Sequence, residues 1–189
     1  MGSQIYSIVV RDEVMEPLDL LARKRGASRS QMINEILAGY FNLVTPQTKI
    51  NLVMDQIEEM IQGVSGWQFL SKAKGSSIQC RTSVGYKYNP KMRFILELTG
   101  KDQSRLATLK IVSRTQNPLF YKHLMRFFYL IEEIEAYDPT GFRLHSIKRG
   151  MFKHQGSRFE RDFYYDWMHE DLEVNHIADF LSNYMRMIH

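Results

Sequence analysis

The sequence predicts an α+β fold, in which a small module of one strand and two helices precedes a larger domain built on an antiparallel sheet. Residues 5–43 first alternate between apolar and mixed positions, and then carry apolar side chains at helical spacing on both sides of Gly26. Residues 77–114 contain alternating stretches separated by turn-forming residues, which is typical of adjacent antiparallel strands. The length of 189 residues allows one or two domains, and a hydrophobic fraction of 44% is enough for a packed core.

The N-terminal module, residues 1–44, begins with a predicted strand in which Tyr6, Ile8 and Val10 share one face. Asp12 is expected to cap a helix that runs to about Arg25. Pro17 belongs near the first turn of a helix, which favours a start closer to Met15. The apolar stripe of this helix comprises Val14, Leu18, Leu21 and Ala22.

The turn between the two helices has clear sequence signals. Gly26 is the expected left-handed residue that ends the first helix. Ser28, followed three residues later by Gln31, fits a capping box at the start of the second. Apolar side chains then recur at helical spacing at Ile33, Ile36, Leu37 and Tyr40.

Residues 45–66 are interpreted as a connecting helix and linker, and residues 67–189 as an α+β domain. Thr45 and Pro46 open the connecting helix, Gly63 ends it, and its apolar stripe comprises Ile50, Val53, Ile57 and Met60. In the larger domain, strands are predicted near 77–86, 91–99, 104–114, 142–149 and 157–166, with a turn at 138–141 and helices near 117–135 and 171–188.

The first 43 residues resemble the ribbon-helix-helix DNA-binding family. The resemblance is carried by Tyr6-Ser-Ile-Val-Val10, Leu18-Asp-Leu-Leu-Ala22, Gly26-Ala-Ser-Arg-Ser30 and Met32-Ile33-Asn34. It implies an obligate homodimer whose strands pair into one ribbon in the DNA major groove, while the start of the second helix binds phosphate. The DNA-binding residues implied in this way are Gln4, Ser7, Val9, Arg11, Ser28, Arg29 and Ser30.

The predicted strand departs from the family pattern, because Ile5 and Val9 stand where long polar side chains usually face the bases. We therefore expect weak sequence discrimination. Two other interpretations stay open. The module dimerises without contacting DNA, or its ribbon binds a protein partner.

A second candidate surface is basic. Residues 67–126 contain twelve Lys and Arg side chains and only two acidic ones, giving a net charge of +10 in a chain whose total is +4. A possible anionic-ligand surface is assigned to Lys72, Lys74, Arg81, Lys87, Lys91 and Arg93, which are interleaved with the aromatic residues Tyr86, Tyr88 and Phe94. Nucleic acid or another phosphate-bearing ligand is the expected partner. The alternative is a solvated surface balanced by the acidic C-terminal third.

Signals for metals, cofactors or catalysis are weak, so no cofactor, metal site or enzymatic activity is predicted. A single cysteine, Cys80, excludes a disulfide framework within the chain. His169, Glu173 and His176 share one helix face only if the last helix extends back to residue 169. Asp162 and Asp166 share a strand face, which a strand of mixed charge explains without metal.

Together these features predict a homodimeric transcriptional regulator, with repression by occupying an operator as the simplest mechanism. Residues 67–189 would then sense a ligand, oligomerise or add DNA contact. The alternative is an accessory protein of a phage or plasmid, such as a relaxosome, partition or defence-inhibiting factor, that uses the module to dock on DNA. Double-stranded DNA and a second copy are the expected partners. No membrane segment or export signal is recognised, so a cytoplasmic location is expected.

Overall fold

The computed structural model describes residues 6–73, 76–99, 105–115, 117–137, 152–164 and 173–189. The chain divides into two compact units, Met1–Thr45 and Pro46–His189, referred to below as unit 1 and unit 2. The α+β class and the antiparallel sheet predicted from the sequence are confirmed. Within the described residues, no helix is both long and apolar enough to cross a membrane.

Unit 1 consists of two helices joined by a tight turn. Helix α1 spans Asp12–Arg25 and helix α2 spans Arg29–Tyr40. Gly26 has a left-handed backbone (φ 63°), and the N–H of Ala27 donates to the carbonyl of Ala22 at 3.0 Å. This is the arrangement in which a glycine closes a helix at least cost, so the predicted turn is confirmed.

Two predictions for the start of α1 are wrong. Asp12 is the first helical residue and not the cap, because Arg11 occupies the cap position and makes no side-chain capping bond. Pro17 lies inside α1, five residues after its start. The missing N–H of Pro17 would have bonded the carbonyl of Glu13, and Glu13 is exposed, so water can satisfy that carbonyl instead.

The predicted ribbon strand has no counterpart in the single chain. Residues 6–11 form neither helix nor strand, and residues 4 and 5 lie outside the described part of the chain. A lone strand has no hydrogen-bonding partner, and two-stranded ribbons are marginal even when paired. Pairing with a second copy therefore stays a prediction.

The core of unit 1 is very small. Among the described residues of unit 1, only Leu18, Ala22 and Met32 are buried apolar residues, with Met15, Leu21, Ala27 and Ile33 packed partly against them. Three residues of the predicted apolar stripe of α2 are instead at least half exposed: Ile36, Leu37 and Tyr40.

Unit 2 contains a six-stranded antiparallel sheet with the strand order β1-β2-β3-β4-β6-β5. The strands are β1 (Trp67–Ala73), β2 (Ser77–Ser83), β3 (Lys91–Leu98), β4 (Arg105–Ser113), β5 (Phe152–Gln155) and β6 (Arg158–Tyr164). The helices are α3 (Pro46–Gln62), α4 (Pro118–Tyr137) and α5 (Val174–Met187).

One face of the sheet is apolar and is packed against all three helices. The register places Cys80, Phe94, Ile111 and Phe159 in one row across four strands. Phe128 of α4 stacks on Phe159 with ring centroids 4.1 Å apart. Helix α3, interpreted above as a connection, adds five side chains to this core: Ile50, Val53, Met54, Ile57 and Ile61.

The alternate residues of the same strands face the other side of the sheet, which no described helix covers. Arg81 lies directly opposite Arg93, and Arg93 lies opposite Val112. The end of the sheet where these residues lie is basic, and the carboxylates of this face, Glu97, Glu160 and Asp162, lie in the rows beyond it. This face is the one that carries the candidate site of unit 2.

The sequence patterns miss two strands. Strand β1 contains a bulge between Phe69 and Ser71, which breaks the alternation by which a strand is recognised. Strand β5 is only four residues long. The strand predicted at 142–149 and the turn at 138–141 lie outside the described residues. The last helix begins at Val174, later than predicted, and ends close to the expected residue.

A buried polar cluster connects α4, β6 and α5. Glu135 accepts hydrogen bonds from Arg161 and from the hydroxyl of Tyr184, each at 2.5 Å. All three side chains are almost inaccessible to water. Burial, followed by the charge of Glu135, raises the pKa of Tyr184, so its hydroxyl stays protonated and remains a donor.

Replacing Glu135 by glutamine should lower the free energy of unfolding by about 3 kcal/mol, because it removes the carboxylate charge that faces the buried guanidinium of Arg161. Urea unfolding followed by circular dichroism would measure this change. Glu133→Gln, on the exposed side of the same helix, is the matched control and should cost less than about 0.5 kcal/mol. Equal losses for the two variants would show that the Arg161–Glu135 pair is not important for stability.

Candidate functional site

The residues assigned to base contact lie in the N-terminal segment of unit 1. Ser7, Val9 and Arg11 are exposed and belong to no helix or strand, and Gln4 lies outside the described residues. The structure therefore does not bring these side chains together as a reading surface in one chain. The residues assigned to phosphate contact, by contrast, are gathered at the start of α2.

The first turn of α2 is organised by its capping box. The hydroxyl of Ser28 accepts from the N–H of Gln31 at 3.2 Å, and the side chain of Gln31 accepts from the N–H of Ser28 at 2.9 Å. The predicted box is confirmed. The N–H groups of Arg29 and Ser30 make no hydrogen bond among the described residues. Two amide donors at the positive end of a helix therefore remain available for an anion.

Arg29 is assigned above to phosphate contact, but its guanidinium is already paired with a carboxylate. Its guanidinium forms a two-pronged contact with the carboxylate of Asp19 on α1, with the Nη2–Oδ2 distance at 2.5 Å. The hydrogen bond from Arg29 lowers the pKa of Asp19, and the same bond raises the pKa of Arg29. Arg29 is still 63% exposed, and only two of its five N–H donors are used.

A second ion pair joins the same two helices. Arg25 at the end of α1 lies 3.2 Å from the carboxylate of Glu35 on α2. Both pairs bridge residues ten positions apart, and in both the arginine is more than half exposed, so each contributes little to stability. They differ in position, because only the Asp19–Arg29 pair lies beside the unpaired amides of α2.

In unit 2, four of the six residues assigned to the basic surface line one cavity of about 490 Å³. They are Arg81, Lys87, Lys91 and Arg93, and Arg114 joins them. None of the five makes an ion pair with a carboxylate among the described residues. Lys74 lies outside those residues, and only the backbone of Lys72, in β1, is described. We call this cavity the basic pocket.

The register of the sheet holds two of these arginines side by side. Arg81 of β2 is directly opposite Arg93 of β3, an arrangement of like charges that is destabilising by itself. The guanidinium of Arg81 donates to the side-chain oxygen of Gln68 at 2.6 and 3.2 Å. Gln68 therefore orients Arg81 without neutralising it. The apolar side chains of Ile95 and Val112 line the pocket beside the arginines.

The connection between β2 and β3, residues 84–90, forms one wall of the pocket. It is held by hydrogen bonds from the N–H of Val84 to the carbonyl of Pro90 and from the N–H of Asn89 to that of Tyr86. Tyr88 and Asn89 both have positive φ angles, 68° and 44°. Such angles cost non-glycine residues on the order of 1 kcal/mol or more and are concentrated at binding sites.

The start of α4 also lines the pocket, through Asn117 and Phe120. The side chain of Asn117 accepts from the N–H groups of Leu119 and Phe120 at 3.0 and 3.1 Å, and Pro118 has no N–H to offer. The first amides of this helix are therefore satisfied internally. At this helix start only the helix dipole remains to favour an anion. An anion bound in the pocket would therefore depend mainly on the basic side chains.

Sequence reasoning missed parts of this pocket and misplaced one aromatic residue. Phe94, expected among the basic residues, is buried in the core, where it packs against Trp67. Tyr86 packs on Phe120 with centroids 5.0 Å apart, while Tyr88 is 84% exposed, with Lys87 over its ring. The alternation of β3 could have assigned Phe94 to the core, but nothing local could have brought Asn117 to the pocket.

Asp162, attributed above to a strand of mixed charge, is buried among cations. It is 2% exposed, lies 2.8 Å from the amine of Lys153 and 3.8 Å from Arg105, and accepts from the hydroxyl of Thr108 at 2.7 Å. Burial opposes its charge, but Lys153, Thr108 and Arg105 outweigh burial and lower its pKa. A carboxylate held ionised in this way is poorly placed to take up a proton.

The described residues contain no group of three His, Cys, Asp or Glu side chains that could hold a metal ion. His169 and Asp166 lie outside those residues, and Glu173 immediately precedes α5, which contains His176.

Cys80 is fully buried, and burial followed by the charge of Glu58 raises its pKa to about 12, so it is an unreactive thiol.

Comparison with known proteins yields no match, whether against family models, curated proteins or solved structures.

The stability of the protein at low pH should show whether the charge of Asp162 stabilises the fold. Because its folded pKa lies below the ordinary value of 3.8, its charge contributes stability that is fully present above that value and is lost as the pH falls through the folded pKa. In urea unfolding, the deficit of Asp162→Asn relative to the unchanged protein should be largest near about pH 6 and shrink toward about pH 2.5. Glu59→Gln, an exposed control, should show no such trend. A deficit independent of pH would contradict the assignment.

Proposed function

We propose that the chain is a homodimeric DNA-binding protein that acts as a transcriptional regulator, with the second-helix N-terminus of unit 1 on the DNA backbone. The observation that carries this proposal is the mismatch in unit 1 between its buried and its exposed apolar side chains. Three are buried, whereas eleven large ones are exposed between residues 6 and 45. A unit of this size with so small a core needs a partner to be stable.

A second copy is the partner that best fits this surface. The exposed side chains include Tyr6 and Ile8 in the segment before α1 and Ile36, Leu37 and Tyr40 on α2, which are the positions that intertwined ribbon-helix-helix dimers would cover. Covering roughly 400 Å² of apolar surface is worth about 10 kcal/mol before the entropy of association is subtracted. Dimer formation would also let residues 6–10 pair as a strand with the same segment of the second copy.

The geometry at the start of α2 supports contact with phosphate. The amides of Arg29 and Ser30 have no partner among the described residues, and Arg29 stands beside them. A phosphate would have to compete with Asp19 for the guanidinium, or bind to the donors that Asp19 leaves unused. Because Ser7 lies between aliphatic residues in the predicted strand, backbone contact would contribute more to affinity than base reading does.

The alternative is an accessory protein of a phage or plasmid that docks a larger assembly on DNA. A regulator should protect a short pseudo-palindrome near its own promoter from nuclease, whereas an accessory protein should protect repeats and need a protein partner for its effect. A cytoplasmic location is part of either proposal.

Leu37→Lys should convert the dimer to a monomer, raising the dissociation constant at least about tenfold, because it places a charge in the proposed interface. Sedimentation velocity over a range of concentrations would measure this change. Leu130→Lys on α4 is the matched control, since Leu37 and Leu130 are equally exposed, at 50% and 47%. Dimers that persist in Leu37→Lys would exclude this face of α2 as the interface.

Asp19→Asn should strengthen DNA binding about three- to tenfold at low salt, because it frees the guanidinium of Arg29 for phosphate, and Arg29→Ala should weaken it. Fluorescence anisotropy with a random duplex and with the DNA upstream of its own gene would measure both.

Glu35→Gln controls for this comparison, because it also removes one negative charge and one interhelical ion pair from unit 1. If Glu35→Gln strengthens binding as much as Asp19→Asn does, the effect is one of net charge and the start of α2 is not the contact.

A further inference from the structure

We infer that the basic pocket of unit 2 is a nucleotide-binding site, whose ligand joins two or three phosphate groups to a planar ring. The pocket lies wholly within unit 2, so this inference is independent of DNA binding by unit 1.

The first ground is uncompensated positive charge. Arg81, Lys87, Lys91, Arg93 and Arg114 all line the cavity, and none has a carboxylate partner among the described side chains. Each terminal phosphate group carries roughly −1.5 to −2 charges at neutral pH, so a diphosphate or triphosphate has about the charge that these five cations can neutralise. A ligand of this kind would also relieve the repulsion between Arg81 and Arg93.

The second ground is shape. A volume of about 490 Å³ lies within the roughly 300 to 1,000 Å³ of small-molecule sites. The surface of a DNA duplex is convex and would contact cations spread over a broad face. Here the charges converge on a concavity, beside Ile95 and Val112, which supply an apolar surface. The pocket therefore fits a compact anion better than a duplex.

The third ground is the exposed aromatic ring of Tyr88. The ring of Tyr86 already contacts Phe120 and His123 of α4, but Tyr88 lines the pocket with most of its surface accessible to solvent. The left-handed backbone at Tyr88 and Asn89 holds the ring there at a conformational cost. Stacking of a base on an exposed tyrosine tightens binding roughly 5- to 150-fold, which a purely inorganic anion would not gain.

The test uses the full chain at fixed ionic strength without divalent cations, with ATP, inorganic tripolyphosphate and adenosine as separate probes in calorimetric titrations. ATP should bind with a dissociation constant in the micromolar range, about 1 to 100 μM. Tripolyphosphate should bind about tenfold more weakly, and adenosine more weakly still.

Arg93→Gln should weaken ATP and tripolyphosphate alike by about tenfold or more, because it removes a charge that both ligands use. Arg114→Gln, at an exposed position, should act in the same direction and serves as a second variant if Arg93→Gln does not fold. Tyr88→Ala should weaken ATP about tenfold while leaving tripolyphosphate unchanged. Arg126→Gln, which removes one exposed charge of α4 outside the pocket, should change ATP affinity less than about twofold.

Three outcomes would overturn the inference. The first is no saturable ATP binding at millimolar concentration. The second is an equal effect of Arg126→Gln and Arg93→Gln, which would mean a diffuse field and no site. The third is binding of a short oligothymidylate that ATP does not displace, which would assign the surface to single-stranded nucleic acid. Equal affinity for ATP and tripolyphosphate, with no effect of Tyr88→Ala, would overturn the assignment of the planar ring.

Discussion

The two-residue alternation of β2, β3, β4 and β6 is the constraint on which the whole of unit 2 depends. In-register rows such as Cys80–Phe94–Ile111 give the sheet one continuous apolar face, and the three helices obtain their packing surface from it. Shifting any of these strands by one residue would send its apolar side chains to the open face and its charges into the core. The same register brings Arg81 and Arg93 together, so the basic pocket is a direct consequence of how the core is built.

Unit 1 is held by a different kind of interaction. Its two helices are defined mainly by local chemistry at the turn, where Gly26 supplies the left-handed residue and Ser28 with Gln31 supplies the capping box. Two ion pairs, Asp19–Arg29 and Arg25–Glu35, join the two helices. They help to orient the helices but contribute little to stability. The turn is thus well specified while the core between the two helices is small, which is consistent with the dimer proposed above.

The sequence predicts the turns, helices and strands that depend on residues close together in the chain. The turn at Gly26, the capping box at Ser28 and most helices and strands follow from neighbouring residues, and the structure agrees. Strand β1 is missed because its bulge disrupts the alternation at Ser71. Charge composition indicates a basic surface, but its concentration in one pocket depends on strand register and on a contact between Tyr86 and Phe120, which are 34 positions apart by their numbering. The Asp19–Arg29 pair likewise depends on how α1 packs on α2.

Because the two units have separate cores, they can differ in how their folding depends on protein concentration. Unit 2 has an extensive core of its own, so its folding does not call for a second copy. Unit 1 has a small core among its described residues, and the dimer proposed above would complete that core only by mass action. A newly made, dilute chain would then expose an unprotected N-terminal segment to cellular proteases. If the proposed dimer forms, accumulation beyond its dissociation constant would shield this segment, and the proposed DNA binding would begin only above a threshold of expression.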